Sequence, residues 1–132
     1  MASPIKTVVV DNVQYNVTQA SAVKQKELLS LVGARLSFRL VNKQEELDPV
    51  AITLGCLLSI DEAELDVIAS IVLHKTVKHG GDSLVSVNDF QNQITSYFLL
   101  IAEAIKANLE DFFTYLANLT PVNAKAETIQ TA

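Results

Sequence analysis

Residues 6–17 read KTVVVDNVQYNV, two runs of period two on either side of Asp11-Asn12. Val8 and Val10 lie on one face of the first run, and Val13, Tyr15 and Val17 form the second. Asp and Asn tolerate positive φ, which both central residues of a primed two-residue turn require. The segment therefore reads as a β-hairpin. A lone two-stranded ribbon is marginal in water. Its apolar face must lie on helices of the same chain or on another copy of the protein.

Beyond Val17 the period changes. Thr18 or Ser21 is the expected cap of a helix. Ala20, Val23, Glu27, Leu28, Leu31 and Val32 follow at helical spacing, and Gly33 fits the left-handed position that ends a helix. Residues 34–47, ARLSFRLVNKQEEL, fit either period, so a short helix or an irregular segment through Val41 is expected. Asp48-Pro49 is a helix start, with proline at the first helical position. VAITLGCLL, apolar nearly all round, predicts a central buried helix. Ser59-Ile60-Asp61-Glu62 reads as a capping box for the next helix, whose stripe is Leu65, Ile68, Ala69, Val72 and Thr76. Acidic residues at its start and Lys75, Lys78 and His79 near its end would suit the macrodipole, with Gly80-Gly81 as the stop.

DSLVSV reads as a short extended link. Asn88 is then the expected cap of the longest helix. Phe90, Ile94, Tyr97, Ile101, Ile105, Asn108, Phe112 and Leu116 recur at spacings of three and four, and Phe98, Ala102, Leu109 and Phe113 widen the face. A helix of ~30 residues would reach ~45 Å, more than a core of this size needs. The expected fold is mainly α, a helical bundle of about four to five helices with a short N-terminal β-hairpin. Residues 1–119 are expected to form one helical domain with its ribbon at 6–17, and 120–132 a flexible C-terminal tail.

Composition narrows the function. Hydrophobic residues make up 49% and charged residues 19% of the 132, which suits a globular domain. The net charge is −5 and the basic residues are scattered among acidic ones. This argues against nucleic acid, whose binders use a basic stripe to neutralise phosphate. Cys56 is the lone cysteine, so an internal disulfide is impossible and a reducing compartment is expected. The apolar run in MASPIKTVVVD is interrupted by Asp11, unlike a secretory signal. YFLLIAEAI is broken by Glu103 and falls short of the ~20 residues of a membrane span. A cytoplasmic protein without a membrane partner is the reading.

No motif carries catalysis. His74 and His79 are five apart, which puts them ~140° apart around a helix, so they do not form a ligand pair. Gly80-Gly81-Asp82-Ser83 lacks the strand and Gly-Lys-Ser/Thr of a phosphate loop. Capping accounts for Ser59 to Glu64, and no nucleophile–base signature is present. Neither a metal, a cofactor nor an enzymatic activity is expected. What remains is apolar surface. Tyr97, Phe98, Phe112, Phe113 and Leu116 are the candidate partner-binding residues. Phe112 and Phe113 point to different sides of a helix, so core packing need not absorb both. For Phe113, loss of the fold in a Phe113→Asp variant would place the side chain in the core. Val8, Val10, Val13, Tyr15 and Val17 are the candidate oligomer contacts.

Taken together, the ribbon KTVVVDNVQYNV, the helix start VTQASAVKQKELLSLVG, the acidic helical body, the long last helix and the C-terminal extension resemble the tail-assembly chaperones of long-tailed, siphovirus-type bacteriophages. The resemblance covers most of the chain. It implies a non-catalytic host-cytoplasmic factor, absent from the mature virion. Such a factor coats the helical, apolar tape measure protein and keeps it soluble until tail tube subunits replace it. It also implies a homo-oligomer and, in many members, a longer frameshifted form, for which the stretch after Pro121 is a suitable place. The ribbon would then either offer protomers an edge to pair through or merely cap the bundle. Two other classes fit the residues: a structural virion component, such as a tail-completion or head–tail joining protein, and a small helical adaptor or regulator of a bacterial protein.

Overall fold

A computed structural model describes residues 4–41, 48–115 and 118, with side chains left undescribed for 38–41. Strands β1 (Ile5–Val10) and β2 (Val13–Thr18) form the expected hairpin. Its turn residues, Asp11 and Asn12, sit at φ 51° and 67°, the left-handed geometry that a primed turn needs. Val8 pairs with Tyr15 and Val10 with Val13. Val8, Val10, Tyr15 and Val17 are buried and Val13 is half-buried, so the ribbon's inner face is spent on the chain's own helices. A short third strand, β3 (Val77–Lys78), joins β2 antiparallel and gives the sheet order β1-β2-β3.

Helix α1 runs Ala22–Val41. The Ser21 hydroxyl accepts from the Lys24 N–H at 3.3 Å, as a cap does. The helix passes straight through Gly33, contrary to the expected stop there. Glycine inside a helix costs about 1 kcal/mol. Leu28, Val32 and Leu36 lie fully buried on either side of it, and each such burial is worth about 1.5–3 kcal/mol. The burial outweighs the glycine. The helix thus settles 34–41; residues 42–47, like 120–132, lie outside the described residues.

Helix α2 (Pro49–Leu57) starts as expected, with the Asp48 carboxylate accepting from the Val50 N–H at 3.0 Å. It buries Val50, Ile52, Thr53, Cys56 and Leu57. Helix α3 (Glu62–Val72) is capped by Asp61, whose carboxylate accepts from the Glu64 N–H at 2.8 Å. Ser59, the expected cap, instead donates to the Cys56 carbonyl at 2.7 Å. The predicted stripe is buried or half-buried, yet the helix ends at Val72 and carries no basic residue in its last turn. Lys78 lies in β3, and the His79 N–H donates to the Gln14 carbonyl at 2.9 Å, so pairing with β2 takes the chain out of the helix. Gly80, at φ 86°, makes the turn that follows.

The long last helix is the main correction. Residues Val87–Phe90 form a 3-10 turn that starts at Ser86, so Asn88 is not a cap. Asn92 then adopts φ 65°, a left-handed conformation no α-helix contains. Helix α4 covers only Ile94–Asn108, about 22 Å at 1.5 Å per residue. At Leu109 the backbone opens to φ −121° and ψ 35° before residues 110–115 turn helical again. Nor is α2 the central helix. That place belongs to α4, which is packed by α2, α3, β1 and the 3-10 turn. From Leu100 to Leu109 only Glu103 and Lys106 reach solvent, and only in part.

Candidate interaction surfaces

Two devices fix the ribbon to α4. At the turn, the Ser96 hydroxyl donates to the Asp11 carboxylate. At the other end, the buried Asn108 side chain accepts from the Ala20 N–H at 2.7 Å and donates to the Ala104 carbonyl at 2.9 Å. The Gln19 amide donates to the Ala107 carbonyl at 2.6 Å beside it. A neutral amide is the right group here, because it supplies a donor and an acceptor where no water reaches.

The predicted partner-binding residues divide. Tyr97 and Phe98 are half-buried at the end of a row of ring contacts running Tyr15–Phe90–Tyr97–Phe98, with centroids 6.3, 5.4 and 6.3 Å apart. Burial, then the charge of Asp66, raises the Tyr97 hydroxyl above its ordinary pKa; burial, then Asp11 and Asp89, does the same for Tyr15. Both phenols therefore stay neutral in the physiological range. Phe112 is half-buried and meets Phe113 edge-on at 5.9 Å. Phe113 is only 7% exposed and belongs to the core, so it is not at the surface. Leu116 lies outside the described residues.

Apolar side chains do reach solvent elsewhere. Ile5 is 63% exposed and Val9 51%, both on the outer face of β1. Leu84 and Val87 are exposed along the segment between β3 and α4, Ile94 is exposed at the first residue of α4, and Tyr115 is 61% exposed in the helical segment 110–115, which also carries the exposed acids Glu110 and Asp111. Sequence reasoning missed Ile5 and Val9. The signal was present: IKTVVV puts a large apolar residue on both faces of one strand, and only one face has helices to lie on.

The histidines are engaged separately. His74 Nδ1 donates to the Ile71 carbonyl at 3.1 Å, and His79 Nδ1 is 3.2 Å from Asn16 Oδ1. Among the described residues no group of His, Cys, Asp and Glu is arranged to hold a metal ion. No helix among them is long and apolar enough to cross a membrane.

Fold and surface together define a mainly α protein with a small antiparallel sheet at its N-terminal end. Compared with protein-family models, curated proteins and solved structures, the chain matches none.

Proposed function

We propose that the protein is a non-catalytic tail-assembly chaperone of a long-tailed phage. It holds the helical, apolar tape measure protein in solution in the host cytoplasm, hands it to the tail tube protein, and is absent from the finished particle. The resemblance described above suggests the class. The observation that carries it into the structure is the helical segment 110–115. Tyr115 is exposed there and Phe112, one helical turn earlier, is half-buried, in a segment that also carries the exposed acids Glu110 and Asp111. An amphipathic client helix would lay its apolar face on aromatic side chains spaced one turn apart in this way. The net charge of −5 would keep the complex dispersed.

Co-expression tests the reading. The tape measure protein is expected to stay soluble only with this chain present, and Tyr115→Asp is expected to lower that solubility while circular dichroism stays native. An insoluble client in both cases would rule the reading out. Mass spectrometry of purified particles separates the virion-component alternative, since a chaperone is absent from them. Specific capture of a host protein with no tail protein would point to the adaptor.

A further inference from the structure

The hairpin register fixes which backbone groups are in use. Val10↔Val13, Val8↔Tyr15 and Lys6↔Val17 share one parity, and the Gln19 N–H donating to the Pro4 carbonyl at 2.9 Å continues it. In an antiparallel ladder the alternate positions aim their N–H and C=O the other way. On β2 these point to β3, where Asn16 pairs with Val77 and Gln14 accepts from His79. On β1 they belong to Ile5, Thr7 and Val9. Nothing among the described residues pairs with them, because β1 is the edge of the sheet.

We infer that this edge is where a second copy of the chain docks, β1 against β1, antiparallel about a two-fold axis at Thr7. Three features of β1 select a second copy over another strand. The open positions are symmetric about Thr7, so centring the axis there pairs every outward N–H and C=O of both strands. Ile5 then faces the partner's Val9, and the reverse, which covers the two most exposed apolar side chains of the ribbon with each other. Edge strands are commonly guarded by a charged side chain. Here the Lys6 ammonium lies 3.0 Å from the Glu110 carboxylate, drawn toward the helical layer.

The axis runs perpendicular to the sheet, so both helical layers fall on one side and the two three-stranded sheets become continuous. The contact is isologous and closes at two copies. It builds a dimer and leaves no free β1 edge for a third chain. The interface is the edge with Ile5, Thr7 and Val9, in place of the inward-facing Val8, Val10, Tyr15 and Val17. One strand from each side buries less than the ~1,600 Å² of a standard interface, so association is reversible. The inference is independent of the chaperone reading, since the purified chain alone displays it.

Sedimentation equilibrium of the full chain over a concentration series is expected to show a monomer–dimer equilibrium. Val9→Lys and Thr7→Pro should each weaken it by about tenfold or more with native circular dichroism. Thr7→Pro removes an N–H that faces away from the hairpin, a place where edge strands accept proline. Leu58→Lys, at an exposed site outside the sheet, should leave association unchanged. Amide hydrogen exchange reads the contact without substitution: the Ile5, Thr7 and Val9 amides should gain protection as concentration rises. If proline unfolds the ribbon, Val9→Lys and the exchange data decide. A chain monomeric throughout, a Val9→Lys variant that associates like the parent, or species larger than a dimer would overturn the inference.

Discussion

The ribbon at residues 5–18 and the stretch from Phe90 to Tyr115 look alike in sequence, since each carries more apolar side chains than one face needs. They end differently. The helical stretch is enclosed along α4, which meets helices on two sides, β1 on another and the 3-10 turn at its start, and it leaves Ile94 and Tyr115 exposed near its ends. The ribbon buries Val8, Val10, Tyr15 and Val17 and leaves Ile5 and Val9 in water. A helix satisfies its own backbone and can be enclosed on all sides. A strand has two faces and two edges, and β1 uses one of each. Surplus apolar surface therefore collects on the outer face of the ribbon as well as near the ends of the helical stretch, where the sequence pattern had suggested the carboxyl end alone.

The sharpest test of the contrast is at Phe113. Phe113→Asp puts a charge into the core and is expected to cost more than about 4 kcal/mol, read as loss of the cooperative thermal transition. Tyr115→Asp, two residues on and exposed, should keep it. Similar melts for the two would return Phe113 to the surface and erase the difference between the regions.

Next in size is Ile101→Ala. This fully buried α4 side chain should cost about 3 kcal/mol in urea denaturation. The ribbon counterpart Val9→Thr should stay within about 0.5 kcal/mol. A large loss at Val9 in the monomer would mean that the outer face of β1 is covered after all.

Asn108→Ala probes the tie between the regions. It strands the Ala20 N–H without its acceptor and should cost about 2 kcal/mol. Exchange of the Ala20 amide should speed up more than that of amides in α3. Uniform acceleration would mean that Asn108 holds the whole molecule, not this junction.

The smallest effect is at Glu103 on α4. Burial raises its carboxyl above the ordinary range; Lys106 lowers it and Asp48 raises it, each by less. In the raised interval the folded chain holds a proton that the unfolded chain has lost, so stability falls as pH rises through it. Glu103→Gln should therefore raise the melting temperature at neutral pH and lose that advantage in acid, where both states are protonated. An advantage that persists in acid would assign the gain to packing.

Legibility followed the locality of the cause. The hairpin could be read because Asp11-Asn12 and the flanking alternation are neighbours in sequence. The start of α2 could be read because Asp48-Pro49 carries its own cap. Gly33 misled, because what overrides a glycine is burial by distant residues. The breaks at Asn92 and Leu109 were hidden for another reason: Phe90, Ile94, Tyr97, Asn108 and Phe112 keep helical spacing across both, so the pattern gives no sign that the backbone departs from a helix. Among the candidate site residues, the sequence could rank apolar side chains but could not say which would be claimed by the chain itself.

Ala20 and Asn108 meet although they lie 88 positions apart in the chain. Contacts between such remote positions close late, since the intervening loop must be ordered first. During synthesis the hairpin emerges early and can form, but its junction with α1 has no latch until α4 has left the ribosome. A nascent chain thus carries the ribbon without that latch until the chain from Ala20 to Asn108 has been made.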